Sequence, residues 1–305
     1  MNERHRKAMH WSAAEYGGVR CGLCPHRCSI PENEAGQCGV RENCGGELVA
    51  AGYGIISSVA LDPIEKKPLN MFYPGKRIVS IGGFGCNLRC PFCQNFEISM
   101  RGCPDSGEGR PGGAGEGGEK GRGQRLAPED IAELAVQAVP DGNIGIAYTY
   151  NEPLIAYEYL YDCSKLVRDA GLNNVIVTNG FINEEPLKAL LPFIDAMNID
   201  LKGFSDRFYK KVGGILETVK KTIEMSSSYC HVEVTTLVVP GENEDDVEAI
   251  AKWLASIDPD IPLHLTRFFP RYRYSDRKTT QRETIKKLHE TARKHLKNVY
   301  AGNMG

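Results

Sequence analysis

No run of about 18 apolar residues interrupts this sequence, so nothing in it reads as a membrane-spanning helix. The charged start Met1-Asn2-Glu3-Arg4-His5-Arg6-Lys7 is not followed by the apolar core of a signal peptide. Charge of one sign is missing too: a net charge of −2 over 305 residues leaves no electrostatic footprint for nucleic acid. The glycines of Gly82-Gly83-Phe84-Gly85 do not open a helix, as a dinucleotide-binding loop requires, because cysteines follow them. Gly102–Gly123 holds ten glycines but lacks the Gly-Lys-Ser/Thr ending of a phosphate-binding loop. These absences predict a protein with no membrane and no nucleic-acid partner. With 41% hydrophobic residues it has ample material for a core.

What is present in quantity is cysteine. Eleven cysteines without a secretion signal point to metal chemistry in a reducing cytoplasm rather than to disulfides. Cys86, Cys90 and Cys93 form a C-x3-C-x2-C group directly after the apolar run Ile78–Gly83. Zinc sites favour paired C-x2-C units, and inert thiols belong in cores rather than in a glycine-flanked polar loop. Three thiolates can hold three irons of a cubane [4Fe–4S] cluster and leave the fourth iron open, whereas electron-transfer clusters normally have four protein ligands. An open iron can bind and activate a small molecule.

From Arg77 onward, short β-branched runs alternate with amphipathic helices. Strands are expected at 77–82, 144–148, 174–178, 196–200, 231–238, 262–266 and 297–301, and helices at Pro128–Val139, Pro153–Ala170 and Asn243–Ser256. Such alternation predicts an α/β fold, a full or partial (β/α) barrel spanning 77–305, with functional residues at the C-terminal ends of strands. Ahead of it lie a cysteine-rich module (1–50) and a connector (51–76). Residues 102–123 read as a disordered insertion, with a lid that orders on a partner as the alternative.

Polar groups fall where the barrel mouth is expected. Asn151 and Glu152 follow the strand ending at Tyr148, Thr178-Asn179-Gly180 ends the next, and Asp200 and Lys202 share one side of a third. Glu152 is a charge-assisted acceptor for a cation, or a plain helix-start residue. Asp200 and Lys202 make either a ligand clamp or a structural ion pair. Thr235 lies on the longest strand, which ends in Val239-Pro240-Gly241.

In the N-terminal module, Cys21, Cys24, Cys28 and Cys38 are spaced C-x2-C-x3-C-x9-C, with Cys44 as a spare and His26 as a substitute ligand. A segment this short is expected to need a metal to order it, either zinc or an iron–sulfur cluster.

The C-x3-C-x2-C group, with Phe92 just before its third cysteine, resembles the radical S-adenosylmethionine (SAM) superfamily. That resemblance implies a [4Fe–4S] cluster on Cys86, Cys90 and Cys93 whose open iron chelates SAM. One electron from a reductant such as a ferredoxin or flavodoxin then gives a 5′-deoxyadenosyl radical, which abstracts hydrogen from a protein or small-molecule substrate. It also implies that Phe92, Asn151, Glu152, Asp200, Lys202 and Thr235 surround SAM, with Asn151 and Glu152 matching a Gly-Gly-Glu-Pro-like turn in which Tyr150 replaces a glycine. Asp200-Leu201-Lys202 and the Val-Val-Pro-Gly strand end are similar to the activating-enzyme branch, typified by pyruvate formate-lyase activase. Cys21–Cys28, Asp62–Leu69 and His264–Pro270 resemble the radical SAM proteins of the AmmeMemoRadiSam system; these carry a further tail with a Cys-x2-Cys pair, so by that resemblance the chain is expected to be either naturally short or truncated. Two departures stand out: Pro270-Arg271-Tyr272 replaces a Pro-Tyr-His run, and no histidine lies near Met71. The competing readings are a glycyl-radical-enzyme activase and a non-catalytic iron–sulfur electron carrier.

Overall fold

A computed structural model describes residues 6–104 and 123–305. Its centre is an eight-stranded sheet whose strands lie side by side in chain order. They are β1 (Ser58–Pro63), β2 (Arg77–Gly82), β3 (Asn143–Tyr148), β4 (Asn173–Thr178), β5 (Ala196–Asp200), β6 (His231–Val238), β7 (Leu263–Arg267) and β8 (Val299–Gly302). From β2 to β8 every neighbour is parallel, and β1 runs antiparallel to β2. Parallel neighbours need crossovers, which helices supply between β2 and β8. Among the described residues β1 and β8 do not pair, so the sheet is a partial barrel with two edges.

The helices sit where apolar spacing puts them. Tyr157–Asp169 buries Leu160, Cys163, Ser164 and Val167, a stripe at intervals of three or four, and the chain turns away at Gly171, whose φ is +73°. The helix expected from Asn243 begins as a 3-10 turn at Glu244 and continues as Val247–Ile257. Glu184–Leu190, Asp206–Val212, Leu216–Ser227 and Arg282–Ala292 are further helices that patterning did not single out.

The barrel interior is polar and filled from below. The loop Ile64–Lys76 reaches across it: the Asn198 side chain donates to the Pro68 carbonyl at 2.8 Å, and Glu233 accepts from the Asn70 and Met71 amides at 3.0 and 2.7 Å. Glu233 also pairs with His264 and His231. Asp62 binds Lys67, and the Tyr150 hydroxyl donates to Asp62 at 2.7 Å.

Residues 6–50 form two small antiparallel sheets. Val19, Leu23, Ile30 and Leu48 are buried in the same core as the barrel, and Arg41 makes a buried ion pair with Glu158. The glycine-rich insertion falls mostly outside the described residues, and its two ends dock on this side. The Cys103 amide donates to the Gly39 carbonyl, and Gln124–Arg125 pairs with Ile55–Ile56.

Candidate functional site

The loop after β2 is held by backbone and amide contacts before any ligand is considered. Gly85 has a φ of +82°, and a Cβ there would run into the Cys38 carbonyl and the Val40 and Ile155 side chains, so only glycine fits. Asn151 clamps the same stretch: its Oδ1 accepts from the Gly83 amide at 2.8 Å, and its Nδ2 donates to the Phe84 and Gly85 carbonyls at 3.0 and 3.1 Å. From there the chain delivers Cys86, Cys90 and Cys93 to the C-terminal end of the sheet. The Leu88 amide donates to Cys86 Sγ at 3.3 Å, and the Arg89 amide to the Val212 carbonyl at 2.7 Å.

Burial raises all three thiols. It pushes Cys90 up to about 11, against the pull of the Lys202 ammonium, and Cys86 higher still with the help of Glu152. Without metal these are therefore protonated thiols, and binding an iron–sulfur cluster must release their protons. Among the described residues no three His, Cys, Asp or Glu side chains close on a single-ion site. A cubane asks for something different, because each thiolate binds a separate iron.

Glu152 lies beside them, 2% exposed. It accepts from the Leu154 amide at 3.0 Å, the Thr178 hydroxyl at 2.7 Å and the Asn179 amide at 2.8 Å. Burial nevertheless pushes its carboxyl up to about 7. Asn179 ties this group to the cysteine loop, donating to Cys86 Sγ at 3.6 Å and to Asn87 Oδ1 at 2.9 Å. On the next strand, Lys202 Nζ and Asp200 are 2.9 Å apart, and Asp200 is partly open to solvent. Burial works against the Lys202 charge, but the Asp200 carboxylate outweighs it and holds the ammonium firmly protonated. The Asn243 side chain fixes this turn by donating to the Lys202 and Leu237 carbonyls at 2.7 and 2.8 Å.

Two further residues expected around SAM are engaged with protein partners. Phe92 is buried and stacked on Phe208, with ring centres 6.0 Å apart, and also contacts Tyr274. Thr235 faces the interior, where its hydroxyl donates to Asn198 at 2.9 Å. The Pro270-Arg271-Tyr272 segment covers the loop, with Tyr272 stacked on Phe96 at 4.8 Å. Sequence reasoning missed the three amide side chains Asn87, Asn179 and Asn243 as positioning groups. Asn179 and Asn243 stand at strand ends, the one signal available for them. A broad surface depression lined by His10, Arg20, Glu185 and Lys221 lies apart from this chemistry.

Three convergent cysteines, a buried carboxylate and an ion pair at one strand-end surface fit the cluster and the amino-acid moiety of SAM that the resemblance implies. Comparison with known proteins bears on the family. The Radical SAM superfamily matches residues 80–254. An uncharacterized protein of Methanocaldococcus jannaschii is 42% identical over 305 residues, covering 98% of this chain and 85% of its own. A second protein of that organism, named provisionally as a glycyl-radical enzyme activating enzyme, is 25% identical over 244 residues, covering 74% of this chain and 89% of its own. Among solved structures, a radical SAM methyltransferase from Sphaerobacter thermophilus shares the fold with a TM-score of 0.51 at 16% identity, covering 77% of this chain and 69% of its own. The chain belongs to the radical SAM superfamily, enzymes that use a [4Fe–4S] cluster and S-adenosylmethionine.

Proposed function

We propose that this protein binds a [4Fe–4S] cluster through Cys86, Cys90 and Cys93 and cleaves SAM reductively, the resulting 5′-deoxyadenosyl radical taking hydrogen from a substrate. The observation that carries the reading is the meeting of that cysteine loop with Glu152 and Lys202 at one end of the parallel sheet, close enough for Glu152 to act on Cys86 and for Lys202 to act on Cys90. When bound, the cluster supplies the single electron and the open iron on which SAM is held.

The chain's own residues do the rest. Lys202 stabilises the thiolate forms of Cys90 and Cys93, easing the proton loss that cluster binding needs. Glu152 is the acceptor for the SAM amino group, and Lys202 with Asp200 receives the carboxylate and a ribose hydroxyl. Asn151 and Asn179 keep the loop in place without touching the reaction, as groups behind a metal ligand commonly do.

The test is direct. Anaerobically reconstituted protein with dithionite and SAM is expected to form 5′-deoxyadenosine, and Cys86→Ala to abolish it while the protein stays folded. No deoxyadenosine from the iron-loaded wild type, or undiminished formation in the variant, rejects the reading. One form of it, abstraction from a backbone glycine of a partner protein, draws support from the likeness to the provisionally named activating enzyme. A glycyl radical detected by electron paramagnetic resonance (EPR) on a co-purifying partner is its signature.

A further inference from the structure

The first four cysteines of the chain are not used by this chemistry, yet they meet in space. Cys21, Cys24, Cys28 and Cys38 line one pocket, whose wall is completed by Arg41 and Asn87 among others.

Arg41, in the wall of that pocket, independently points to a ligand. Its side chain is 1% exposed. One terminal nitrogen donates to both Glu158 oxygens at 3.0 Å and the other to the Met9 carbonyl at 2.5 Å. Its Nε–H has no partner among the described residues. A buried donor left without an acceptor is costly and rare in folded proteins. The Arg41 charge is already matched by Glu158, so what this nitrogen lacks is a hydrogen-bond acceptor. Sulfur in a thiolate-ligated cluster, with its net negative charge, is such an acceptor in that pocket.

The position of the pocket narrows the chemistry further. The module's packing does not itself choose between zinc and iron, since it shares the barrel's core and the Arg41–Glu158 pair whichever is bound. The pocket does, however, abut the radical loop. The Cys38 carbonyl packs against Gly85. His26 Nε2 is 2.7 Å from the Asn87 carbonyl, and Asn87 is joined through Asn179 to Cys86 Sγ.

We propose that Cys21, Cys24, Cys28 and Cys38 hold a second, four-thiolate [4Fe–4S] cluster that passes single electrons to the Cys86 loop. The relay rests on the function proposed above; the site itself does not. In each cycle a low-potential one-electron donor protein reduces the module cluster, which is reoxidised as its electron moves to the radical-site cluster. No bond is made or broken and no proton moves in that transfer.

Metal content tests the site. The Cys86→Ala/Cys90→Ala/Cys93→Ala variant, purified and reconstituted anaerobically, is expected to keep about four irons per chain and give the EPR signal of one isolated reduced cluster. The Cys21→Ser/Cys24→Ser/Cys28→Ser/Cys38→Ser variant is expected to fall from about eight irons to about four, so the count stands even if one variant fails to fold. Reduced wild type is expected to show a spectrum broadened by two neighbouring clusters, which both variants lose. About one zinc in place of iron, or a metal-free folded triple variant, overturns the proposal. For the relay, the quadruple variant is expected to make deoxyadenosine with dithionite but at least tenfold less with a flavodoxin-type donor. Equal yields with both donors leave no role for the relay and overturn that part. Loss of deoxyadenosine from wild type with the iron count intact would instead reject the radical function and leave the site standing.

Discussion

Glu152 and Glu233 are both buried carboxylates of one barrel, and their environments drive them in opposite directions. Glu233, near the start of β6, is desolvated but receives two imidazole contacts and two backbone amides, and these hold its carboxyl down at about 2. Glu152, past the end of β3, also receives three hydrogen bonds, yet burial prevails and its carboxyl rises to about 7. The difference lies in how far the donors go: two imidazole contacts and two backbone amides together outweigh the desolvation of Glu233, whereas three hydrogen bonds and the nearby Lys202 do not outweigh that of Glu152. The lower end of the barrel is electrostatically complete, as structural polar clusters are. The upper end keeps a carboxylate whose hydrogen-bond donors do not offset its desolvation, an arrangement suited to a ligand that brings donors of its own.

The comparison breaks most visibly at the lower end. Glu233→Ala leaves His264 and two loop amides unmatched in the interior and is expected to cost about 3–5 kcal/mol of stability, read by denaturant unfolding. An unchanged midpoint would remove Glu233 from the structural account. The same group sets an acid limb. Because its folded value is depressed, its contribution is complete above the ordinary carboxylate range and is lost as pH falls from about 4.5 to about 2. About 3 kcal/mol is expected to disappear over that window, and Glu233→Gln to unfold without this limb.

At the upper end the effects should fall on ligand rather than fold. Lys202→Ala is expected to weaken SAM binding by about ten- to a hundredfold, or roughly 1.5–3 kcal/mol, by anaerobic calorimetry on iron-loaded protein. Unaltered affinity would return Lys202 to a plain ion pair with Asp200. Glu152→Gln is expected to weaken SAM binding about tenfold, near 1.4 kcal/mol. Its unfolding midpoint should move far less than that of Glu233→Ala. The two glutamates would be alike if it moved as much.

Much of this was legible in the sequence, for identifiable reasons. The strands of the parallel sheet were readable to within two residues at each boundary because buried strands are short apolar runs bounded by turn residues. The Asp206–Val212 helix was not, since its seven residues carry too little periodicity to separate from a loop. The cysteine loop was legible because its spacing is local. The partners that position it were not, because Asn151 and Asn179 act on groups up to 93 residues away in the chain. Nor could spacing reveal that Lys67, within Asp62–Leu69, lies over the Tyr150 ring at 4.6 Å, or that Tyr150 sits at a φ of +71° beside the functional carboxylate.

Gly85 carries a consequence for how such a chain can change over time. At this point the carbonyl of one segment fills the space a side chain of another would need. The seam between residues 38 and 85 therefore tolerates no gradual drift on either side. A head region transplanted from a relative would dock only if its own turn presented the same bare backbone, and any substitution at 85 would wedge the two halves apart. Composition marks a border near residue 50, but heredity has to treat both sides of it as a single piece.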